Sequence, residues 1–211
     1  MEYLVPEEFE EFGIAATTST AQVRAASALI DAHCRRPTVG SYQYVERLRF
    51  APGAARVQLT FTPVIAPDEA LAIVEARARY AFPRKGERAS TFSNVGFCAE
   101  VAQAFQLPGQ WITLTQSSYE VQPETGELTV YPGILGLPYT EVEVVYQAGW
   151  LTIPEAVKQA CAQIVRNAQA MPAMNVKRSK VEQMEIDYFA ATLIDESVRA
   201  LLAPYVACKW N

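Results

Sequence analysis

His33 is the only histidine in the chain, so any Ser-His-Asp or Cys-His site has to be built on it. It directly precedes Cys34. If the two share a helix, as the pattern around them predicts, adjacent side chains diverge and cannot meet as a nucleophile and its base. A histidine in the last turn of a helix is explained by the negative end of the helix dipole. The other cysteines are Cys98, Cys161 and Cys208. None of the four forms a CxxC pair or has a histidine at ligand spacing, so free buried thiols are expected rather than a zinc site. Glu7, Glu8, Glu10 and Glu11 could supply paired carboxylates for acid-base work, but the same spacing describes the solvated face of a short helix. The sequence contains no P-loop, GxGxxG or HExxH pattern. No catalytic residue, metal ligand or cofactor site is assigned. A carboxylate-based hydrolase without a recognisable motif is the one enzymatic alternative.

The elements that would position any site belong to a chain of 211 residues, half of them apolar and 10% aromatic. That is enough to bury a substantial core and is expected to form one domain. The formal net charge is -5. Proteins that grip nucleic acid draw most of their affinity from phosphate contacts and are usually basic. This chain is therefore not expected to hold DNA, although an acidic surface could line a channel through which DNA slides. No apolar run has the length of a membrane span, and the first residues lack the basic and apolar regions of a signal peptide. A protein made in the cytoplasm is expected, with no membrane partner.

Along the chain, Ser19 and Gln22 have capping-box spacing ahead of Val23, Ala26, Leu29 and Ile30, which predicts a helix over 19–34. Residues 42–50 and 57–62 alternate as strands around a Pro52-Gly53 turn. Residues 67–69 look like a helix start, yet Val74, Ala76, Ala78 and Tyr80 alternate with charged residues and favour a strand over 73–82. An exposed loop over 83–93 and a short helix over 97–105 follow. Further strands are expected at 111–114, 119–122 and 128–131, the last two joined as a hairpin, and one more through Val142, Val144 and Tyr146. A helix over 154–170 starts at Pro154 and carries the apolar stripe Val157, Ala160, Cys161, Ile164, Val165 and Ala168. Residues 175–187 are charged and read as an extended arm or loop. Asp195 caps a last helix running through Val198, Leu201 and Leu202 to Pro204 and Tyr205. The fold class is α+β. A small helical core of N- and C-terminal helices (about 1–36 and 150–170) holds an inserted antiparallel β element (about 42–148), and an extended C-terminal arm and helix cover about 171–211.

Two stretches carry a resemblance. Val144-Val145-Tyr146-Gln147-Ala148-Gly149-Trp150, followed by Ile153-Pro154-Glu155-Ala156-Val157-Lys158-Gln159-Ala160, is similar to the "V-x-Y-x-A-G-Y … I-P-x-x-(I/V)-K-x-A" passage of tailed-phage head-tail connector (adaptor) proteins, with Trp150 in place of the tyrosine. Val198-Arg199-Ala200-Leu201-Leu202-Ala203-Pro204-Tyr205 resembles the "V-x-x-L-L-x-P-Y" ending of that family. A capped N-terminal helix ending in arginines, and a strand pair closing on Thr62-Pro63-Val64, fit the same pattern. The stretch over 67–140 is less typical and looks like an enlarged β insertion. The motif residues have plain structural uses: Gly149 permits a sharp reversal, Trp150 seals the corner and Pro154 starts the returning helix, with Tyr146 in the strand before them.

The resemblance implies a non-enzymatic virion protein at the head-tail junction, or alternatively a neck or tail-completion protein of the same particle. Adaptors of this kind dock under the portal protein and assemble with neighbouring subunits as a ring, usually of twelve. The ring extends the DNA channel and offers a landing surface to a stopper or tail-completion protein, while DNA passes without sequence-specific binding. The expected portal- and subunit-binding residues are Met174, Lys177, Arg178, Lys180, Tyr188, Phe189, Leu201, Leu202, Tyr205 and Trp210. They join a charged segment to methionines and aromatics, a composition suited to folding on a partner.

Overall fold

The computed structural model describes residues 2–51, 54–66, 72–80, 109–133, 139–170 and 193–207, and the backbone of 178–181 and 184–187. The expected loop at 83–93, the short helix at 97–105 and the helix start at 67–69 lie outside the described residues. The architecture is mixed α+β and divides into two compact units. One comprises Met1–Val39 and Thr152–Ala207, and the other is built on Gly40–Leu151.

The first unit is helical. Helix α1, Thr20–Cys34, buries Val23, Ala26, Ile30 and Cys34 along one stripe, the spacing that 3.6 residues per turn requires. Ser19 caps it by accepting from Ala21 N. The expected capping box does not close, because the Gln22 amide oxygen accepts from Gln169 Nε2 at 3.3 Å instead. The helix ends on Arg35 in the left-handed conformation, φ 56°. Helix α2, Glu155–Ala170, buries Val157, Ala160, Cys161, Ile164 and Val165. Pro154 stands just before it and its carbonyl accepts from Val157 N and Lys158 N, so the missing proline N–H costs nothing there. Helix α3, Glu196–Leu202, is capped by Asp195 Oδ1, which accepts from Val198 N at 2.8 Å, and runs into a 3-10 turn at Ala203–Tyr205.

The acidic N-terminal cluster begins with a short 3-10 helix, Pro6–Glu8, of a single turn. The aromatics around it decide its course: Tyr3, Phe9 and Phe12 are buried and strap this segment to the helices. Tyr3 Oη bonds the Asp31 carboxylate and accepts from Val39 N at 2.8 Å, Lys158 pairs with Glu8, and Arg166 donates to the Phe12 carbonyl at 3.2 Å.

The second unit contains two antiparallel sheets. The larger has the order β1-β7-β3-β4, with β1 Tyr42–Arg49, β3 Ile73–Arg79, β4 Ile112–Thr113 and β7 Glu141–Ala148. The smaller has the order β2-β6-β5, with β2 Arg56–Gln58, β5 Tyr119–Val121 and β6 Glu127–Val130. Alternation over 73–82 thus marks a real strand, which ends in ladder form at Arg79. The strand expected over 57–62 is shorter, Arg56–Gln58, with Leu59 N still bonding the Gly126 carbonyl beside the ladder at 2.9 Å; the Thr62-Pro63 bond that follows is cis. One face of the larger sheet, carrying Tyr44, Ala76, Ala78, Val142, Val144 and Tyr146, shares a core with Leu59, Leu128 and Val130. Where the sequence reads as an extended arm or loop, the backbone forms an antiparallel hairpin of β8 Arg178–Val181 and β9 Met184–Asp187.

Candidate functional site

The strand-turn-helix motif is built as its residues require. Tyr146 sits towards the end of β7 with no exposure. Its hydroxyl donates to Glu46 Oε1 at 2.9 Å and accepts from Phe61 N at 3.2 Å. Burial, followed by the neighbouring Glu46 charge, drives its pKa far above the ordinary tyrosine value, so it remains a hydroxyl donor. Gly149 has φ 116°, a backbone region that side-chain-bearing residues rarely adopt. Trp150 makes a parallel bridge with Gly40 and is half-buried.

The residues expected to bind partners fall into three groups. Met174, Lys177, Tyr188, Phe189 and Trp210 lie outside the described residues. Arg178 and Lys180 are in β8, at positions paired with Asp187 and Glu185. Leu201 and Tyr205 are half-buried on α3 and the turn after it, whereas Leu202 has no exposure. The Leu202 side chain is therefore already packed in the helical unit's own core. Asn167 Nδ2 donates to the Leu193 carbonyl at 3.2 Å and to Asp195 Oδ2 at 3.1 Å, which ties the start of the last helix to the end of α2.

His33 is half-buried at the end of α1, while Cys34 beside it is fully buried and its carbonyl accepts from Ala207 N. Burial pushes the thiols of both Cys34 and Cys161 up to about 11. At neutral pH neither is a thiolate nucleophile.

A feature that the sequence reading did not single out is the outward face of the four-stranded sheet. The register places Arg49, Glu141 and Arg79 in one row, Arg47, Glu143 and Arg77 in the next, and Val45, Val145 and Glu75 in the third. Glu141 is nearly buried and accepts from Arg47 at 2.7 Å and from Arg79 at 2.8 Å. Burial alone would raise its pKa, but the hydrogen bonds and charges of the two guanidiniums outweigh it and hold the carboxyl below its usual range. Arg77 pairs with Glu143. The Trp111 ring lies against three guanidiniums, with centroid distances of 5.3 Å to Arg47, 5.4 Å to Arg77 and 4.6 Å to Arg79. The signal was present as i, i+2 pairs of like residues, Arg47/Arg49, Arg77/Arg79 and Glu141/Glu143. Only the strand order shows that the acidic pair runs between the two basic ones.

No family model and no curated protein matches the chain. Among solved structures it is similar to a chain from "Virion of native gene transfer agent (GTA) particle", with a TM-score of 0.50 and 14% identity over 99% of this chain and 92% of that one. This is a likeness of fold, and it extends over both units.

Proposed function

We propose that this chain is a structural protein of a phage-like particle, acting without catalysis as the head-tail adaptor that docks under the portal. The observation that carries the proposal is the fold shared with a virion chain along nearly its whole length. The strand-turn-helix passage through Tyr146, Gly149 and Pro154 and the ending Leu201-Leu202-Ala203-Pro204-Tyr205 support the adaptor role, because both resemble that family at the same places.

In this role the subunits form a ring, extend the DNA channel and give a stopper or tail-completion protein its landing surface. The segment over 171–192 serves as the docking arm, with Met174, Lys177, Arg178, Lys180, Tyr188 and Phe189 contributing, and with Trp210 beyond the last helix. A two-stranded hairpin is marginal by itself in water and gains stability when it is covered by a partner. DNA passes the ring without sequence-specific contacts. The protein's place is the head-tail junction of the particle.

Mixing the purified chain with the portal protein encoded alongside it, and imaging by negative stain, tests the role directly. Rings on the portal support it, and no association rejects it. Deleting everything beyond 172 would also strip Val198 and Leu202 from the helical core, so the arm is better tested by excising 175–190 behind a short glycine-serine linker. Asn167, near the end of α2, donates to the Leu193 carbonyl, so the described residues on either side of the excision lie close together. That excision is expected to abolish portal docking while the circular dichroism spectrum and melting temperature stay near those of the full chain. Full-affinity docking by the excised chain would exclude the arm.

A further inference from the structure

The outward face of the four-stranded sheet is built from charged and aromatic side chains. Arg47, Arg49, Arg77 and Arg79 share it with Trp111 and the central acids Glu141 and Glu143. On the Val45 side of the face two apolar side chains lie open beside the exposed Glu75: Val45 is 65% exposed and Val74, at the bulge in β3, is 54% exposed. Half of the Arg47 side chain and 42% of the Arg77 side chain face solvent. Arginine and tryptophan set among apolar neighbours are the residues that most often anchor protein interfaces. The four arginines outnumber the three acids Glu75, Glu141 and Glu143 on a chain whose net charge is -5, so this face carries a slight positive balance on an otherwise acidic subunit.

The same chain exposes the complementary surface. Glu7, Glu10 and Glu11 are exposed on the N-terminal turn and, among the described residues, none makes an ion pair. Glu8, the fourth acid of the cluster, is pinned by Lys158, which holds the turn in place. Val5 beside them is an exposed apolar side chain, 45% accessible. The turn therefore presents three carboxylates and one valine, and the sheet presents guanidiniums and valines. A contact between two different surfaces of identical chains is heterologous, and such contacts form a ring when the rotation between neighbours closes.

We infer that this sheet face is the subunit-subunit docking surface and that it receives the acidic N-terminal turn, Glu7, Glu10 and Glu11, of a second copy. The inference rests on the ring reading above. Arg47 and Arg77 would meet the incoming carboxylates, Trp111 would stiffen the guanidiniums by lying against them, and Val45 and Val74 would take the apolar part of the contact. Electrostatic matching of this kind sets orientation and encounter rate and weakens with salt.

Sedimentation of the full chain at low and high salt tests it, with a charge exchange as the decisive arm. The wild type is expected to self-associate at low salt and to dissociate at high salt. The variant E7K/E10K/E11K changes only exposed side chains and is expected to weaken association by about tenfold or more. The variant R47E/R77E is expected to do the same, and Val45→Asp provides a second lesion of the face that leaves every ion pair intact. An equimolar mixture of the lysine-turn and glutamate-face variants restores opposite charges at every junction and is expected to associate again. If the wild type associates while these variants associate equally well, the docking surface lies elsewhere and the ring reading stands. A chain that remains monomeric in every condition overturns the inference, and portal docking, measured separately, then judges the ring reading.

Discussion

Tyr146 and Glu46 are diagonal neighbours across the β1-β7 ladder, Tyr146 lying opposite Tyr44 and Glu46 opposite Val144, and the Tyr146 hydroxyl donates to Glu46 Oε1 at 2.9 Å from a side chain with no exposure. The other carboxylate oxygen accepts from Thr60 N at 3.1 Å, and the hydroxyl accepts from Phe61 N. One tyrosine thus fastens the segment after β2 to the central strand. Tyr146→Phe keeps the ring but strands both partners. A loss of about 1–3 kcal/mol is expected, read as a lower urea midpoint with an unchanged slope.

Glu141 sits between Arg47 and Arg79 with 7% of its side chain exposed. Its folded pKa lies below the ordinary glutamate value. A depressed carboxyl contributes stability that is present above the unfolded pKa and is lost as pH falls through the folded one. Glu141→Gln is therefore expected to cost about 1–3 kcal/mol at pH 7. The gap to the wild type should close below about pH 4.5, as denaturant melts across that range would show. A gap that persists undiminished at acid pH would contradict the ion-pair account.

Asp195 holds the first turn of α3 and also accepts from Ser197 and Asn167. These bonds, led by that from Ser197, draw its carboxyl down to about 2. Asp195→Ala is expected to destabilise the protein by about 1 kcal/mol, and Asp195→Asn by less, since asparagine caps nearly as well. Thermal melts of both variants make the comparison.

Gly126 turns the β5-β6 hairpin with φ 73°, and a methyl group added there would come within 2.6 Å of Thr62 Cγ2. Gly126→Ala is expected to cost about 1–3 kcal/mol from strain and clash together. Adding Thr62→Ser removes the clashing methyl and should recover part of the loss, leaving the backbone share.

Cys34 and Cys161 are buried thiols raised to about 11. Alkylation at mildly alkaline pH, followed by peptide mapping, is expected to leave both unlabelled in the native protein. Labelling should appear only across the unfolding transition. Rapid native-state labelling at either site would mean that the helical unit opens far more readily than its packing implies.

Local signals alone settled the three helices, the turn glycines and most of the strands. The stripe Val23, Ala26, Ile30 and the proline before α2 follow from helical spacing and from a missing N–H, and those causes act within a few residues. The alternation of Val74, Ala76 and Ala78 with charged neighbours likewise marked a strand. Tertiary context decided the rest. The acidic turn became a strap because Tyr3, Phe9 and Phe12 found helices to cover, a contact between distant parts of the chain. Gln22 left its capping role for Gln169, far along the sequence. The Arg-Glu-Arg rows exist only because β7 lies between β1 and β3, and strand order depends on which faces can share a core, which no window of sequence contains.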